Sequence, residues 1–252
     1  MLMAMLRGKF SKTGDMKYIS HLDLVRLFHR VLRRAGINIA YTQGFNPHPI
    51  ISFATALSLG VESYGEYFDL KLNEEMSFTE FQQSVNQHMP RGIKILDGKY
   101  IDSKEDSLMS MVEYSDYLIA VEFIDENWDR ELFEQWVAGF LEEERIMITR
   151  KKKKKRRQRH QEYKEVDVRP LIKELTLESV RGEKWSLYTL LTTGSKGNLK
   201  PEDLIKLFEK YLKNQEQNRE KENPIEITSV EITRKDLYQE VNGAMKNLID
   251  AV

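Results

Sequence analysis

Cysteine is absent from all 252 residues, and its absence removes several chemistries at once. A chain without thiols forms no disulfide, holds no iron–sulfur cluster of its own, builds no thiolate zinc site and offers no cysteine nucleophile. Long apolar runs are missing as well. Nothing approaches the ~20 apolar residues of a membrane span, and the apolar stretch of the opening MLMAMLRGKF is too short for a signal-peptide core. No membrane partner is therefore expected, and the expected location is the cytoplasm. A complete P-loop is lacking too. The Gly-rich TTGSKGN at 192–198 has no Gly-Lys-Ser/Thr ending, so it offers backbone N–H groups for a phosphate but argues against nucleotide hydrolysis.

What is present is the composition of a folded chain, 40% hydrophobic and 31% charged. Its length suits one large domain or two of roughly 100–130 residues. The net charge of −1 conceals an asymmetry, because residues 150–159 read RKKKKKRRQR, nine cations with no anion. The remainder carries 30 basic and 40 acidic residues. A cationic cluster on an otherwise acidic body calls for a polyanionic partner.

The pattern of elements repeats. Leu6–Lys12 reads as a strand. Ser20 reads as a helix N-cap with Asp23 completing a box-like start, Leu24, Leu27, Phe28, Val31 and Ala35 follow at helical spacing, and Gly36 supplies the stop. Strands are expected at Ile50–Ala54 and Glu66–Leu72, a second helix at Ser77–Met89 and a strand at Ile93–Ile101. After a polar break at Asp102–Ser110 come a strand at Tyr117–Phe123 and a helix at Asp129–Glu144. The basic run and the stretch towards Val180 follow, then a strand at Trp185–Leu191, a helix at Pro201–Leu212 and a strand at Ile225–Arg234. Gln215–Asn223 reads as a solvated connector and Leu237–Val252 as a short helix or frayed tail. The expected fold class is α+β: two tandem ferredoxin-like (β-α-β-β-α-β) domains with antiparallel sheets, at 1–104 and 111–252, the second bearing a basic arm near 150–165.

Chemistry concentrates between Tyr18 and Glu66. On the first helix Arg26, Arg30 and Arg33 fall at i, i+4 and i+7, a stripe that Arg34 widens. Guanidinium forks match phosphate oxygens two at a time, so the stripe suits a nucleic-acid backbone, or else it is a solvated face paired with nearby carboxylates. In QGFNPHP, two prolines flank His48, Gly44 turns the chain, and Phe45 offers a face for a base, with Asn46 beside it. The alternative is a rigid connector with Phe45 plugging the core. His21, His29, His48, Tyr41 and Asp23 contain enough acids and bases for metal-free RNA cleavage through the 2′-hydroxyl, without a diagnostic spacing. His21 and Asp23 do not share a helix face, so no metal site is expected of them, and no cofactor is expected either. Lys151, Lys152, Lys153, Lys154, Lys155, Arg156, Arg157 and Arg159 bind anions with steep salt dependence, either as a dedicated arm or as a solvated tip. Asp167 and Arg169 in VDVRPLI are expected on the same strand face at i, i+2, where they pair with each other or with the loop, or orient a ligand.

The motifs YISHLDLVRLFHRVLRRAG, YTQGFNPHP, FATALSLGVESYGEYFDL, DVRPLI, GSKGNLKPEDL and EITRKDLY resemble those of a bacterial family of radical-SAM-linked (radical-SAM-associated) proteins. The lysine run 151–155 is longer than the family pattern. The resemblance implies a genetic neighbourhood rather than a reaction: a radical SAM protein with a cobalamin-type domain, ribonuclease G and ribosomal proteins. Since this chain has no cysteine for the cluster, the resemblance implies that it brings substrate to such an enzyme. The expected function is an RNA-binding accessory protein acting with a radical SAM enzyme on ribosomal or transfer RNA, without an activity of its own. The alternatives are a metal-independent endoribonuclease using the histidines and a protein-interaction module that docks on the radical SAM partner.

Overall fold

The computed structural model describes residues 4–102, 104–123, 130–152, 162–217 and 226–252. It is a mixed α+β protein whose strands pair mostly antiparallel. Two compact units emerge: Met1–Asp116 with Thr193–Lys196 and Ile232–Val252, and Tyr117–Thr192 with Gly197–Glu231. The sequence reading expects a boundary within 102–110 and a C-terminal domain running to 252. The closing segment instead belongs to the first unit, because Leu237, Leu248 and Ile249 are buried in a cluster with Tyr67, Leu108 and Met111.

In the first unit β1 (Ala4–Lys12), α1 (His21–Arg34), β2 (Ile51–Phe53), β3 (Glu62–Leu72), α2 (Phe78–Asn86) and β4 (Ile93–Ile101) follow in order. β1 pairs antiparallel with both β3 and β4, and the short β2 pairs antiparallel with β3. α1 forms where its caps say it should. The Ser20 hydroxyl accepts the Asp23 amide proton at 3.1 Å, and Gly36 leaves the helix at φ +69°, the left-handed conformation that costs glycine little. α2 begins with a full capping box between Ser77 and Glu80. α1 buries Leu24, Phe28, Val31 and Leu32. The Phe28 ring meets Phe10 and Phe53 at 5.1 Å and Phe68 at 5.4 Å. Each such aromatic contributes roughly 1.5–3 kcal/mol by leaving water. Gly8 makes the layer possible, since a Cβ there would stand 2.2 Å from the Phe68 ring.

Arg7 points away from that core and is still fully buried. It grips Asp69 through Nε at 2.8 Å and Nη2 at 2.9 Å, and it also reaches the Asp106 and Leu248 carbonyls. α3 (Leu108–Met111) lies over this place, Met111 Sδ standing 2.8 Å from Arg7 Nη1.

The second unit runs through β5 (Tyr114–Phe123), which begins in the first unit, then α4 (Arg130–Glu142) and the two-stranded hairpin β6 (Met147–Lys151) and β7 (Tyr163–Asp167). β8 (Ile172–Arg181), β9 (Lys184–Thr192), α5 (Pro201–Gln217) and β10 (Ile227–Val241) follow, the last ending in the first unit. The strand order is β10-β5-β9-β8. Phe133 centres the core, 4.7 Å from Trp185 and 5.6 Å from Phe208.

Two local expectations need correction. Leu237–Val252 is neither helix nor frayed tail. β10 runs to Val241, Asn242 and Gly243 turn at φ +54° and +79°, and β11 (Ala244–Asn247) pairs back. Two positive φ angles in an Asn-Gly pair make the two-residue turn that matches strand twist. The expected strand face shared by Asp167 and Arg169 does not exist either. Pro170 lies in a 3₁₀ turn, Arg169–Leu171, where β7 has already ended. The start of the expected connector, 215–217, is the last part of α5, and the rest lies outside the described residues.

Candidate nucleic-acid interface

α1 fixes the arginines. Its apolar side is locked by Leu24, Phe28, Val31 and Leu32, so Arg26, Arg30, Arg33 and Arg34 are exposed. Arg26 bonds Asp23 at 3.3 Å across one turn, with both side chains more than half exposed. Such a pair stabilises weakly. Arg30, Arg33 and Arg34 make no ion pair among the described residues. Three guanidinium groups therefore stand with their forks in water. Arg33 and Arg34 in the last turn also complement the helix dipole.

The QGFNPHP segment closes on itself rather than joining the core. The Thr42 amide donates to the His48 carbonyl at 3.0 Å, the His48 amide donates to the Thr42 hydroxyl at 3.2 Å, and Tyr41 bridges Pro49. At its tip Gly44 has φ +126° and Phe45 is 106% exposed. That overturns the reading in which Phe45 plugs the core. An aromatic ring with no contact to its own fold is kept in water at a cost, and a base stacked on it would recover that cost. Asn46 and His48 are exposed beside it.

The three histidines do not form one cluster. His21 packs edge-on against Phe53 at 5.6 Å and lines a small cleft with Lys12, Thr55 and Glu66. His29 lies eight residues further along α1, about 12 Å on the helix axis. Its pKa is held below the ordinary value, first by burial and then by the charge of His48, which therefore lies near this turn of α1. His48 Nδ1 stands 2.9 Å from the Asn46 carbonyl. A carbonyl only accepts, so Nδ1 carries the proton and Nε2 is the basic nitrogen. Asp23 is held below its usual range, chiefly by its bond from Ser20. Tyr41 is exposed at the base of the loop. Among the described residues no group of three or more His, Asp or Glu is placed to hold a metal.

In the second unit the basic run begins at the end of a hairpin. Lys151 pairs with Tyr163 in register, Arg150 Nη2 donates to the Asn198 carbonyl at 2.6 Å, and Lys152 bonds Glu162 at 3.1 Å. Lys153, Lys154, Lys155, Arg156, Arg157 and Arg159 lie outside the described residues. Asp167 and Arg169 prove architectural. Asp167 accepts the Ile146 and Arg169 amides, while Arg169 donates to the Leu141 and Ile172 carbonyls. Gly194 in the TTGSKGN turn packs against Val112, where a Cβ would stand 2.3 Å from its carbonyl oxygen.

Sequence reasoning missed a group of buried charges, Lys12, Glu66 and Arg234. Arg234 Nη1 donates to Glu66 Oε1 at 2.8 Å. Lys12 is 2% exposed and donates to the Ile19 carbonyl at 3.0 Å. The available signal was the break in alternation at the end of β1, where a bulge between Phe10 and Lys12 buries Phe10, Ser11 and Lys12 in succession.

A family model described as "Uncharacterized protein conserved in bacteria (DUF2344)" matches residues 5–201. No curated protein matches the chain. Solved structures similar to it include a chain of a Cbf5-Nop10-Gar1 complex, 7% identical with TM-score 0.45, the match covering 94% of this chain and 50% of that one. Another is a chain of an archaeal box H/ACA sRNP Nop10-Cbf5 complex, 8% identical with TM-score 0.44, covering 91% and 46%. The chain thus spans about half the length of each.

Proposed function

The chain belongs to this bacterial family, and we propose that it is a cytoplasmic RNA-binding protein that presents ribosomal or transfer RNA to a radical SAM enzyme. One observation carries the RNA reading: three arginines on α1 without an ion pair among the described residues, and a fully exposed Phe45 on the loop whose His48 lies near enough to that helix to act on His29. Phosphates meet the guanidinium forks and an unstacked base meets the ring, the combination that single-stranded RNA requires. The partner enzyme is inferred from the motif resemblance and from the lack of cysteine in this chain. No helix of the described residues is long and apolar enough to cross a membrane. We also read each unit as a split βαβ of ferredoxin-like type. The orders β4-β1-β3 with β2 outside β3, and β10-β5-β9-β8, support that reading.

Fluorescence anisotropy with labelled ribosomal and transfer RNA fragments tests the proposal. Affinity should fall steeply between about 50 and 200 mM salt, as the counterions released on phosphate binding require. Absence of binding to any RNA at the lower salt would refute it.

The nearness of His48 to His29 favours a second reading, a metal-independent endoribonuclease. His29 is held below the ordinary imidazole value and His48 carries its proton on Nδ1, so each offers a basic nitrogen, and the one that takes the 2′-hydroxyl proton can return it as the acid. Incubating structured RNA in EDTA separates the readings. Cleavage leaving cyclic phosphates, abolished in His48→Ala, selects the enzyme, and intact RNA selects the binding protein.

A further inference from the structure

Among the described residues β6 and β7 pair only with each other, so the hairpin of the second unit is a separate two-stranded sheet. Its lower end is fixed, since the Ile146 amide donates to Asp167 and the Val168 amide to the Ile146 carbonyl at 2.8 Å. Opposed residues of an antiparallel pair share a face, so the register sorts the side chains. Ile148, Arg150 and Val166 fall on one face and are half-buried, and Arg150 is bonded to the Asn198 carbonyl at 2.6 Å. That face is turned to the body of the unit. Met147, Thr149, Lys151, Tyr163 and Glu165 fall on the other face, and all are exposed. Tyr163 lies directly across from Lys151 at the far end, about 13 Å along β7 from Asp167. Its ring is 55% exposed and meets no other ring, and its hydroxyl makes no hydrogen bond among the described residues. Lys151 makes no ion pair among them either. A tyrosine serves a hairpin when it packs on an apolar residue across the strands. Here the residue across is a cation.

We propose that this outward face is a second RNA contact, in which the Tyr163 ring stacks on an unpaired base and the Lys151 ammonium takes the neighbouring phosphate. The inference rests on the RNA reading above and extends it from the first unit to the second. Charge and shape name the occupant. β6 ends inside the run RKKKKKRRQR, nine cations with no anion, so what docks at this end is a polyanion. Stacking needs an aromatic face clear of its own protein, and the phosphate beside that base needs a cation close by. Opposed residues on one face, with Cβ atoms about 5 Å apart, supply both. A duplex hides its base faces, whereas an unpaired strand offers them. An acidic protein segment would meet the lysine and leave the ring in water.

Fluorescence anisotropy of the full chain with a labelled oligouridylate, at about 150 mM salt, tests the contact. Tyr163→Ala should weaken binding about 5- to 150-fold, the effect of one stacked base, and Tyr163→Trp should preserve it. Lys151→Gln should lower the log–log salt slope by about 0.7. Urea midpoints should stay at the wild-type value, since neither side chain is buried. The Tyr163→Trp chain adds a signal that a structural role would not move. Its emission, above that of the three native tryptophans, should be quenched by the oligouridylate and left unchanged by an abasic strand of equal charge. Wild-type affinity in Tyr163→Ala, or a Tyr163→Trp emission that the base-bearing strand does not quench, overturns the second contact. If Arg33→Gln still weakens binding in that case, the RNA reading stands without it. Polyglutamate that displaces the oligouridylate from wild type but not from Tyr163→Ala assigns the face to an acidic protein segment and overturns it too. If Tyr163→Ala weakens binding while Arg33→Gln and Phe45→Ala do not, the hairpin contact stands and the α1 site falls. Absence of RNA binding overturns both.

Discussion

The first unit holds two sets of cations treated in opposite ways. Arg7, Lys12 and Arg234 are buried and bonded, Arg7 to a carboxylate, a sulfur and two carbonyls. Arg30, Arg33 and Arg34 are exposed and make no ion pair among the described residues, although the chain as a whole carries 40 acidic residues. The difference separates what charge does for the fold from what it does at the surface. An interior guanidinium must have its donors met, or the fold bears the desolvation cost alone. A surface guanidinium costs the fold almost nothing, so leaving a row of them unpaired is compatible with stability and keeps them available for phosphate.

Removing an interior partner should break this contrast most severely. Asp69→Ala leaves the Arg7 guanidinium buried without its bidentate carboxylate, and urea unfolding should show a loss of about 3–5 kcal/mol. Arg7→Met in the same background should restore much of it, since the orphaned charge goes too. Failure of the second change to rescue the first would mean that Arg7 matters for its shape and its bonds to Asp106 and Leu248 rather than for its charge.

The exposed set should behave in reverse. Replacing Arg26, Arg30, Arg33 and Arg34 together by Gln should cost the fold only about 1 kcal/mol, mostly from the weaker dipole complement once Arg33 and Arg34 are gone. The same variant should flatten the salt dependence of RNA binding, its log–log slope falling by about 0.7 for each phosphate that is no longer neutralised. If its stability falls as far as that of Asp69→Ala while its salt slope stays put, the stripe is structural.

Phe45→Ala refines the comparison with a smaller effect and no charge change. A ring 106% exposed contributes nothing to the core, so stability should stay within about 0.5 kcal/mol of wild type. RNA affinity should drop by about 1–3 kcal/mol, the worth of one stacked base. Competition with abasic and base-bearing strands would locate the loss in stacking.

The exposed set was legible in the sequence, and the interior set was not. The arginine stripe follows from helical spacing once Ser20 and Gly36 mark the ends of α1. Those marks are local, because a cap bonds within three residues of itself. The Phe45 turn was legible as a turn, but whether its ring pointed inward depended on how the loop closed on Thr42 and His48. Arg7 alternates with Leu6 and Gly8 in β1 in the way a solvent-facing residue does, and its burial depends on Asp69, Asp106 and Leu248, up to 241 positions away. Lys12 is buried by a bulge that the pairing of β1 with β3 sets. Asn242-Gly243 was a local signal that reading the tail as helix passed over, and it decides that the chain's end returns to the first unit as a β-hairpin.

The finest test lies where the two sets meet, at half-buried His29. Its folded pKa is depressed, chiefly by burial, so the unfolded chain binds a proton more readily than the folded one. The stability His29 contributes is therefore complete at neutral pH and above, and it is lost as pH falls through the unfolded value of about 6.5. His29→Leu should flatten that part of the stability profile, read as the urea midpoint between pH 7.5 and 5.5. His48→Gln should flatten it partly, by removing the second and smaller cause. RNA binding should respond with the opposite sign. The RNA phosphates favour the imidazolium forms beside Arg30 and Arg33, so affinity should rise over the same interval in which the free protein weakens. A parallel fall in both would place His29 with the interior cations, as a residue that serves the fold alone.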